Sequence, residues 1–311
     1  MHLKSILPAL TVLLLAAGTA YATPPAAAAK STTAALAAAT TVAVTHHFIW
    51  RLTKGHGEIY LVGSIHTLNP NDYPLPDVME NAFQHADALV EEVNLTMLDT
   101  TTVQQEAMRM ATYPRSESLQ TTLPPELYKQ VVQSAKDLGL DMQEVDRFRP
   151  WFVSMLLLNT QLQHADFDPS DGVDNHFADE AQMLDKPVIG LETARYQLDL
   201  LAGLPEKTQQ AMLQDAVEES AHFDADVHAL ISAWEKGDAA AIAKITHKDF
   251  ANSPIAYQRL ILERNRAWFA RLQHLAQSGR QYFVVVGAAH LVGPDGLLMM
   301  FERAGYQATQ L

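Results

Sequence analysis

The sequence predicts an α/β protein with a central, mainly parallel sheet, built from the N- and C-terminal segments, and a large helical insertion in the middle. Strand-like apolar runs occur at both ends of the chain, and helical segments alternate with them. Strand–helix–strand units of this kind build parallel sheets. The 311 residues are 48% hydrophobic and 19% charged, which is typical of a folded globular chain that buries a sizeable core.

The N-terminal elements are predicted from apolar runs and from the turn residues between them. The segment Lys-Gly-His-Gly at 54–57 separates two strand-like runs, which indicates a hairpin. In chain order, we expect a strand at 47–52, a strand at 58–62, a helix at 76–85 and a strand from 88 onwards that leads into two glutamates at 91 and 92.

The later elements follow from helical periodicity and from the residues that interrupt it. Two prolines at 124–125 open a helix that Gly139 closes. In chain order, we expect helices at 123–139, 151–163 and 173–184, a short buried strand at 187–191, helices from 193 to about 278 with breaks at 203–205, 237 and 253–254, a strand at 282–286, a helix at 294–304 and an edge strand at 306–311.

The first 22 residues have the pattern of a signal peptide. A short, weakly positive start is followed by a mostly apolar run at 5–17 and by Ala-Tyr-Ala at 20–22, the small-x-small pattern that signal peptidase cleaves. The apolar run is shorter than the roughly 20 residues that span a bilayer, so an uncleaved anchor is the alternative. We therefore expect an exported protein, periplasmic or secreted.

The remaining chain divides into a linker and one domain. Residues 23–45 are low in complexity and rich in Ala and Thr, which predicts a flexible linker because such a segment buries little. Residues 46–311 form the predicted α/β domain. It contains no further apolar stretch long enough to cross a membrane, so we expect no membrane span in the mature protein.

Composition excludes several classes of function. The chain has 36 acidic and 22 basic residues, and its formal net charge is −14. Nucleic-acid binding needs basic patches, and the sequence has no Lys/Arg cluster of that kind. The absence of cysteine excludes disulfides, thiolate nucleophiles and Cys-ligated zinc. The oligomeric state stays open.

A Gly-x-x-His pattern occurs twice, each time at the end of an apolar strand run. Gly63 and His66 end the first, and Gly287 and His290 end the second. Each glycine is expected to let the chain turn sharply and its backbone approach a ligand or cofactor closely. Functional side chains collect beyond the carboxyl ends of parallel strands, so both imidazoles should lie at one sheet edge. The glutamates at 91–92 follow a third strand to that edge.

Two imidazoles and a carboxylate are a common ligand set for a divalent metal. Histidines at strand ends are also often structural, bonded to backbone carbonyls, and spacing alone does not separate the two interpretations. Strand alternation places Glu91 and Glu92 on opposite faces, so only one of them should reach such a metal.

The chain resembles the TraB/GumN family, which includes the animal TIKI proteins and is grouped with the erythromycin esterase-like and ChaN-like proteins. The resemblance extends from about residue 48 to the C-terminus. It rests on four blocks in the same order, which are IYLVGSIHTL, ADALVEEVN, GVDNHFADEAQMLDKPVIGLET and VVVGAAHLVGPDGLLMMFERAGYQATQL.

TIKI-type members are regarded as metal-dependent proteases whose two Gly-x-x-His motifs and one glutamate form the active site. Carried over, the resemblance implies His66, Glu92 and His290 as metal ligands. Many bacterial members have a leucine or valine where Glu91 stands, so Glu91 takes the role if the register is shifted by one. The implied cofactor is a divalent ion, Mn, Co or Zn, with Mn or Co favoured.

Three further residues are candidates for the site. Asp174 and Glu192 match family positions and, with Glu91, are the alternatives for the general acid/base. Asp174 stands near a helix start, where capping the helix is the favoured role. Glu192 follows a strand and can cap the next helix or orient a metal-bound histidine. Arg149 is expected at a helix start beside the cleft, able to hold a substrate carboxylate, with a surface salt bridge as the alternative.

The sequence thus predicts an exported metal-dependent hydrolase, specifically a metallopeptidase, that acts on a peptide or a small-molecule substrate. The metal would lower the pKa of its bound water and polarise the scissile carbonyl. Two alternatives remain. The first is a non-catalytic iron- or haem-binding protein of the ChaN-like type, and the second is an interaction protein whose site has decayed.

We expect the exported form to begin at Thr23, because signal peptidase cleaves after a small-x-small site that follows a short apolar run. N-terminal sequencing of the exported protein checks this. Recovery of the chain from a membrane fraction with Met1 retained would contradict it.

Overall fold

The computed structural model describes residues 46–311, and the expected signal peptide and linker lie outside these residues. Six strands form one sheet in the order β4-β3-β5-β2-β1-β6. Strands β2, β5, β3 and β4 run parallel to one another, and β1 runs antiparallel to both β2 and β6. The predicted α/β class with a mainly parallel sheet is therefore confirmed.

The strands lie where the apolar runs predicted them. Their bounds are β1 Ile49–Lys54, β2 Gly57–Ser64, β3 Ala88–Val93, β4 Val188–Glu192, β5 Tyr282–Gly287 and β6 Gln307–Gln310.

The helices occupy the connections and the long middle segment. Their bounds are α1 Asp77–His85, α2 Thr100–Ala111, α3 Leu119–Thr122, α4 Pro125–Asp137, α5 Met142–Val145, α6 Pro150–His164, α7 Val173–Met183, α8 Ala194–Ala202, α9 Glu206–Glu219, α10 Phe223–Glu235, α11 Ala239–Asp249, α12 Pro254–Tyr257, a π-helical turn Gln258–Leu262, α13 Glu263–Ala276, α14 Ala288–Leu291 and α15 Leu297–Arg303. Within the described part of the chain, none of these helices is both long and apolar enough to cross a membrane.

The central strands are covered on both faces. Every residue of β3 and of β5 is buried, as expected for parallel strands packed between helices. Strand β4 differs from the prediction of a buried strand, because it pairs only with β3 and four of its five residues are partly exposed. The apolar sequence at 188–192 therefore indicates an edge strand here.

The strand order brings distant residues together at one edge. Strand β5 lies between β2 and β3, and all three point the same way. In register, Ser64 of β2 lies opposite Gly287 of β5, and Glu91 of β3 lies opposite Val285. Both Gly-x-x-His segments and the glutamates at 91–92 consequently meet at the carboxyl edge of the sheet, as the sequence predicted.

The structure gives a different reason for a glycine at position 63 from the one expected. It lies within β2, and a Cβ at this position would come within 2.4 Å of Cδ1 of Phe48. Its carbonyl accepts a hydrogen bond of 2.6 Å from Nε1 of Trp234 in α10. The missing side chain therefore makes room for an aromatic ring in the core; the described contacts of Gly63 involve no turn.

Replacing Gly63 with alanine should lower the free energy of unfolding by about 1–3 kcal/mol, because the added methyl group overpacks the contact with Phe48. Urea unfolding of the full chain measures this. Phe48→Leu is the matched partner, and the double variant should lose less than the sum of the two single losses. An unchanged midpoint for Gly63→Ala would contradict the prediction.

Candidate active site at the carboxyl edge of the sheet

His66 follows β2 and is fixed by a carboxylate. Its side chain is nearly fully buried, and its Nδ1 lies 2.7 Å from Oδ2 of Asp174. Ser64 donates a second hydrogen bond, of 3.0 Å, to Oδ1 of the same carboxylate. A carboxylate only accepts, so Nδ1 of His66 carries the proton. The other ring nitrogen, Nε2, lies 4.0 Å from Oε1 of Glu92.

Asp174 therefore has a role that differs from the expected helix cap. It lies in the first turn of α7, where Gly172 is the N-cap residue, and no side chain caps this helix. The Asp174 side chain is buried and bonds His66 and Ser64 instead. A carboxylate on Nδ1 sets the ring orientation and tautomer of a histidine, which is a positioning function.

Glu92 is the glutamate of β3 that lies beside His66. Its Oε1 accepts a hydrogen bond of 2.9 Å from the backbone N–H of Gly287. Its Oε2 accepts from Nη2 of Arg264 at 2.5 Å and from Nε2 of Gln197 at 3.1 Å. Both oxygens of a fully buried carboxylate are thus hydrogen-bonded, as burial requires.

Arg264 of α13 lies at the centre of the cluster, and the sequence analysis did not single it out. Its side chain is 0% exposed. Nη2 contacts Glu92 and, at 3.0 Å, Glu192, while Nε donates to Glu192 at 3.1 Å. Nη1 donates to the carbonyl of Leu260 at 3.2 Å and to Nε2 of His290 at 3.1 Å. These contacts supply an acceptor for each of the five guanidinium N–H groups.

His290 follows β5 and is held neutral. The Arg264 guanidinium only donates, so Nε2 of His290 must accept, and Nδ1 carries the proton and donates to Oδ1 of Asn265 at 2.7 Å. The ring also lies 4.4 Å from the ring of Trp268, measured between centroids. Burial, and then the positive charges of Arg264 and His66, hold the pKa of His290 well below its ordinary value.

His66 has the opposite electrostatic environment. Burial opposes its protonation, but the charge of Asp174, the hydrogen bond to it and the charge of Glu92 outweigh burial and raise the pKa of the imidazole. The pKa values of the two Gly-x-x-His histidines are therefore shifted in opposite directions, although their sequence contexts are alike.

Glu91 and Glu192 are buried acids in different settings. Burial, and then the charge of Asp174, hold the pKa of Glu91 well above its ordinary value, which favours the neutral carboxyl. Its Oε1 has no hydrogen-bond partner, and its Oε2 accepts only a 3.3 Å bond from the N–H of Leu95. Burial also raises the pKa of Glu192, against the opposing effect of Arg264.

Arg149 lies at the start of α6, where the sequence predicted a helix start. It is the N-cap residue, it is partly buried, and its guanidinium stacks over the ring of Tyr113 at 4.8 Å. The described contacts of the buried cluster involve Arg264 rather than Arg149. A role for Arg149 in holding a substrate carboxylate stays a prediction.

The arrangement does not fit a metal bound by His66, Glu92 and His290. Arg264 already contacts Oε2 of Glu92 and Nε2 of His290, the atoms that these ligands would offer. Among residues 46–311, three ligand atoms lie within 4.8 Å of one another only in a separate, partly buried group. That group consists of Glu80, His176 and Glu180.

The cluster nevertheless has the physical character of a functional site. Acids, imidazoles and a guanidinium are buried together at the carboxyl edge of a parallel sheet, and several of their pKa values are perturbed in opposite directions. Such groups are concentrated at active sites, although structural ion-pair networks perturb pKa values as well.

Comparison with known proteins agrees with the resemblance seen in the motifs. The chain is 27% identical over 260 residues to the uncharacterized protein YbaP of Escherichia coli strain K12, and the match covers 82% of this chain and 94% of the relative. YbaP of Shigella flexneri matches to the same extent. An uncharacterized protein of Treponema pallidum strain Nichols is 19% identical over 268 residues, 82% of this chain and 80% of the relative.

No solved structure is significantly similar to this chain. The sequence profile of the TraB/PrgY/gumN family matches residues 48–310, which includes every strand and helix of the fold and all the residues of the buried cluster. The protein therefore belongs to the TraB/PrgY/gumN family.

Proposed function

We propose that this protein is a hydrolase that acts outside the cytoplasm on the carbonyl group of a peptide or a small-molecule substrate. The observation that carries the proposal is the buried pair of His66 and Asp174, whose Nε2 end faces Glu92. A histidine whose Nδ1 donates to a carboxylate can act as a general base through Nε2. Buried clusters of ionisable groups are frequent at catalytic sites. Export is an inference from the sequence at 1–22.

The proposed step begins with a water molecule beside Nε2 of neutral His66. His66 takes one proton of the water while its oxygen attacks the carbonyl carbon, and Asp174 stabilises the imidazolium that forms. Glu92, 4.0 Å from Nε2, can accept a hydrogen bond from the same water and orient it. When the tetrahedral intermediate collapses, the proton passes from His66 to the departing nitrogen or oxygen.

Arg264 supports this step without contacting the substrate. All five of its N–H groups are used by Glu92, Glu192, His290 and Leu260, so it is a positioning residue. It fixes the orientation of Glu92 and contributes a fixed positive charge to the buried cluster. A fixed charge of this kind stabilises the negative charge that develops on a carbonyl oxygen.

No step of the proposed mechanism uses a metal, because the predicted ligands as arranged do not fit one. The choice between a peptide and a small-molecule substrate stays open. None of the contacts in the described residues favours iron or haem binding over hydrolysis. The interaction protein with a decayed site also stays an alternative, which the activity screen below addresses.

Replacing His66 with alanine should lower the hydrolysis rate by about 10²–10⁴-fold, because the general base is lost. Asp174→Asn should also lower it, since an amide can donate to Nδ1 and favours the wrong tautomer. The measurement is initial rate with fluorogenic peptides and p-nitrophenyl esters, and circular dichroism checks the fold.

His56→Ala is the matched control, because His56 is exposed in the β1–β2 turn. It should retain the wild-type rate. Full activity of His66→Ala would contradict the proposed step, and no hydrolysis of any substrate by the wild-type protein would contradict the proposed function.

Glu91 and Glu92 should respond differently to replacement by glutamine. Burial favours the neutral form of Glu91, and its one hydrogen bond is the 3.3 Å bond from Leu95, so Glu91→Gln should leave the free energy of unfolding within about 1 kcal/mol of wild type. Glu92→Gln removes a charged partner of the buried Arg264 and should cost about 3 kcal/mol. Urea unfolding of both variants checks this, and equal losses would contradict it.

A further inference from the structure

Arg264 competes directly with a metal for the atoms that a metal needs. The Nδ1 atom of His290 is used by Asn265, so Nε2 is the ring nitrogen left for a ligand, and Arg264 donates to it at 3.1 Å. Arg264 also contacts Oε2 of Glu92 at 2.5 Å. Two of the three expected ligands are therefore bound to the same guanidinium.

The Arg264 guanidinium is held firmly in the cluster. It is completely buried, all of its N–H groups have acceptors, and its Cζ lies 4.5 Å from the ring centroid of Trp268. Arginine does not lose its proton in proteins, so the positive charge is permanent. Moving it would leave Glu92 and Glu192 as unpaired buried charges, which is strongly unfavourable. A divalent ion placed beside it would also be repelled.

Apart from Arg264, the cluster has the supporting contacts of a metal site, and Arg264 occupies the position that a metal would take. Asp174 fixes Nδ1 of His66, and Asn265 fixes Nδ1 of His290, so each ring turns Nε2 towards the cluster. Oxygen acceptors on the second nitrogen are the usual support of metal-bound histidines. These contacts do not depend on Arg264 and should persist in its absence.

We infer that Arg264 takes the place of the metal in this chain, so the wild-type cluster is metal-free. The inference refines the proposed function by assigning the cluster a guanidinium as its fixed cation. It does not require hydrolysis to be observed, because its test measures metal binding.

The test uses the full chain without an affinity tag, in a His176→Ala background that removes the separate Glu80, His176 and Glu180 group. Each protein is equilibrated with MnCl₂, CoCl₂ or ZnCl₂, and bound metal is measured by elemental analysis after dialysis. The background protein should retain less than about 0.1 equivalent. Its melting temperature should change by less than about 1 °C when metal is added.

Two controls make the result specific. Arg266→Ala removes an exposed arginine from the same helix and should behave like the background protein. His66→Ala and His290→Ala, each made in the same background, should retain as little metal as the background protein, because the intact cluster binds none.

The background protein carries the decisive measurement. About one equivalent of metal in that protein, lost on His66→Ala or His290→Ala, would overturn the inference. A metal-free protein that hydrolyses no substrate would contradict the proposed function but not this inference. Failure of the proposed function and failure of the inference are therefore distinguishable.

Discussion

The buried positive charge of Arg264 is the constraint on which the rest of the cluster depends. A guanidinium that cannot lose its proton is stable in a protein interior only if its N–H groups have acceptors and its charge has partners. The acceptors come from Glu92 of β3, Glu192 of β4, Leu260 in the π-helical turn before α13 and His290 of α14. A single side chain thus joins the ends of two strands to two helical segments.

The sheet makes this arrangement possible because of its strand order. Strand β5 lies between β2 and β3, so the segment that carries His290 emerges beside both His66 and Glu92. The backbone N–H of Gly287 then bonds Glu92 directly across the strand ends. Parallel strands whose carboxyl ends meet at one edge therefore assemble a cluster from residues that are far apart in sequence.

Much of the fold could be predicted from the sequence, because apolar runs and turn residues are local signals. The β1–β2 hairpin and the position of both histidines at the strand ends agree with the structure. Glu92, which the family resemblance implied, lies 4.0 Å from His66, and the metal-ligand role that the resemblance implied for it stays a prediction. Whether a strand lies at the centre or the edge of a sheet depends on residues far away in sequence. The local apolar run of β4 therefore predicted a buried strand and could not indicate an edge.

Arg264 could not be identified from its local sequence. It stands in a helix between other charged and polar residues, a pattern typical of a solvated face, and its complete burial results from packing against segments distant in sequence. Asn265 and Gln197 were missed for the same reason. Asp174 matched the family pattern, but its bond to His66 depends on how α7 packs on the sheet, so its local position at a helix start suggested a cap.

The two Gly-x-x-His motifs, nearly identical in sequence, acquire opposite electrostatic roles from this packing. The charges of Asp174 and Glu92 raise the pKa of His66, whereas burial and the guanidinium lower that of His290, so Nε2 of His66 is the better proton acceptor while Nε2 of His290 accepts the hydrogen bond from Arg264.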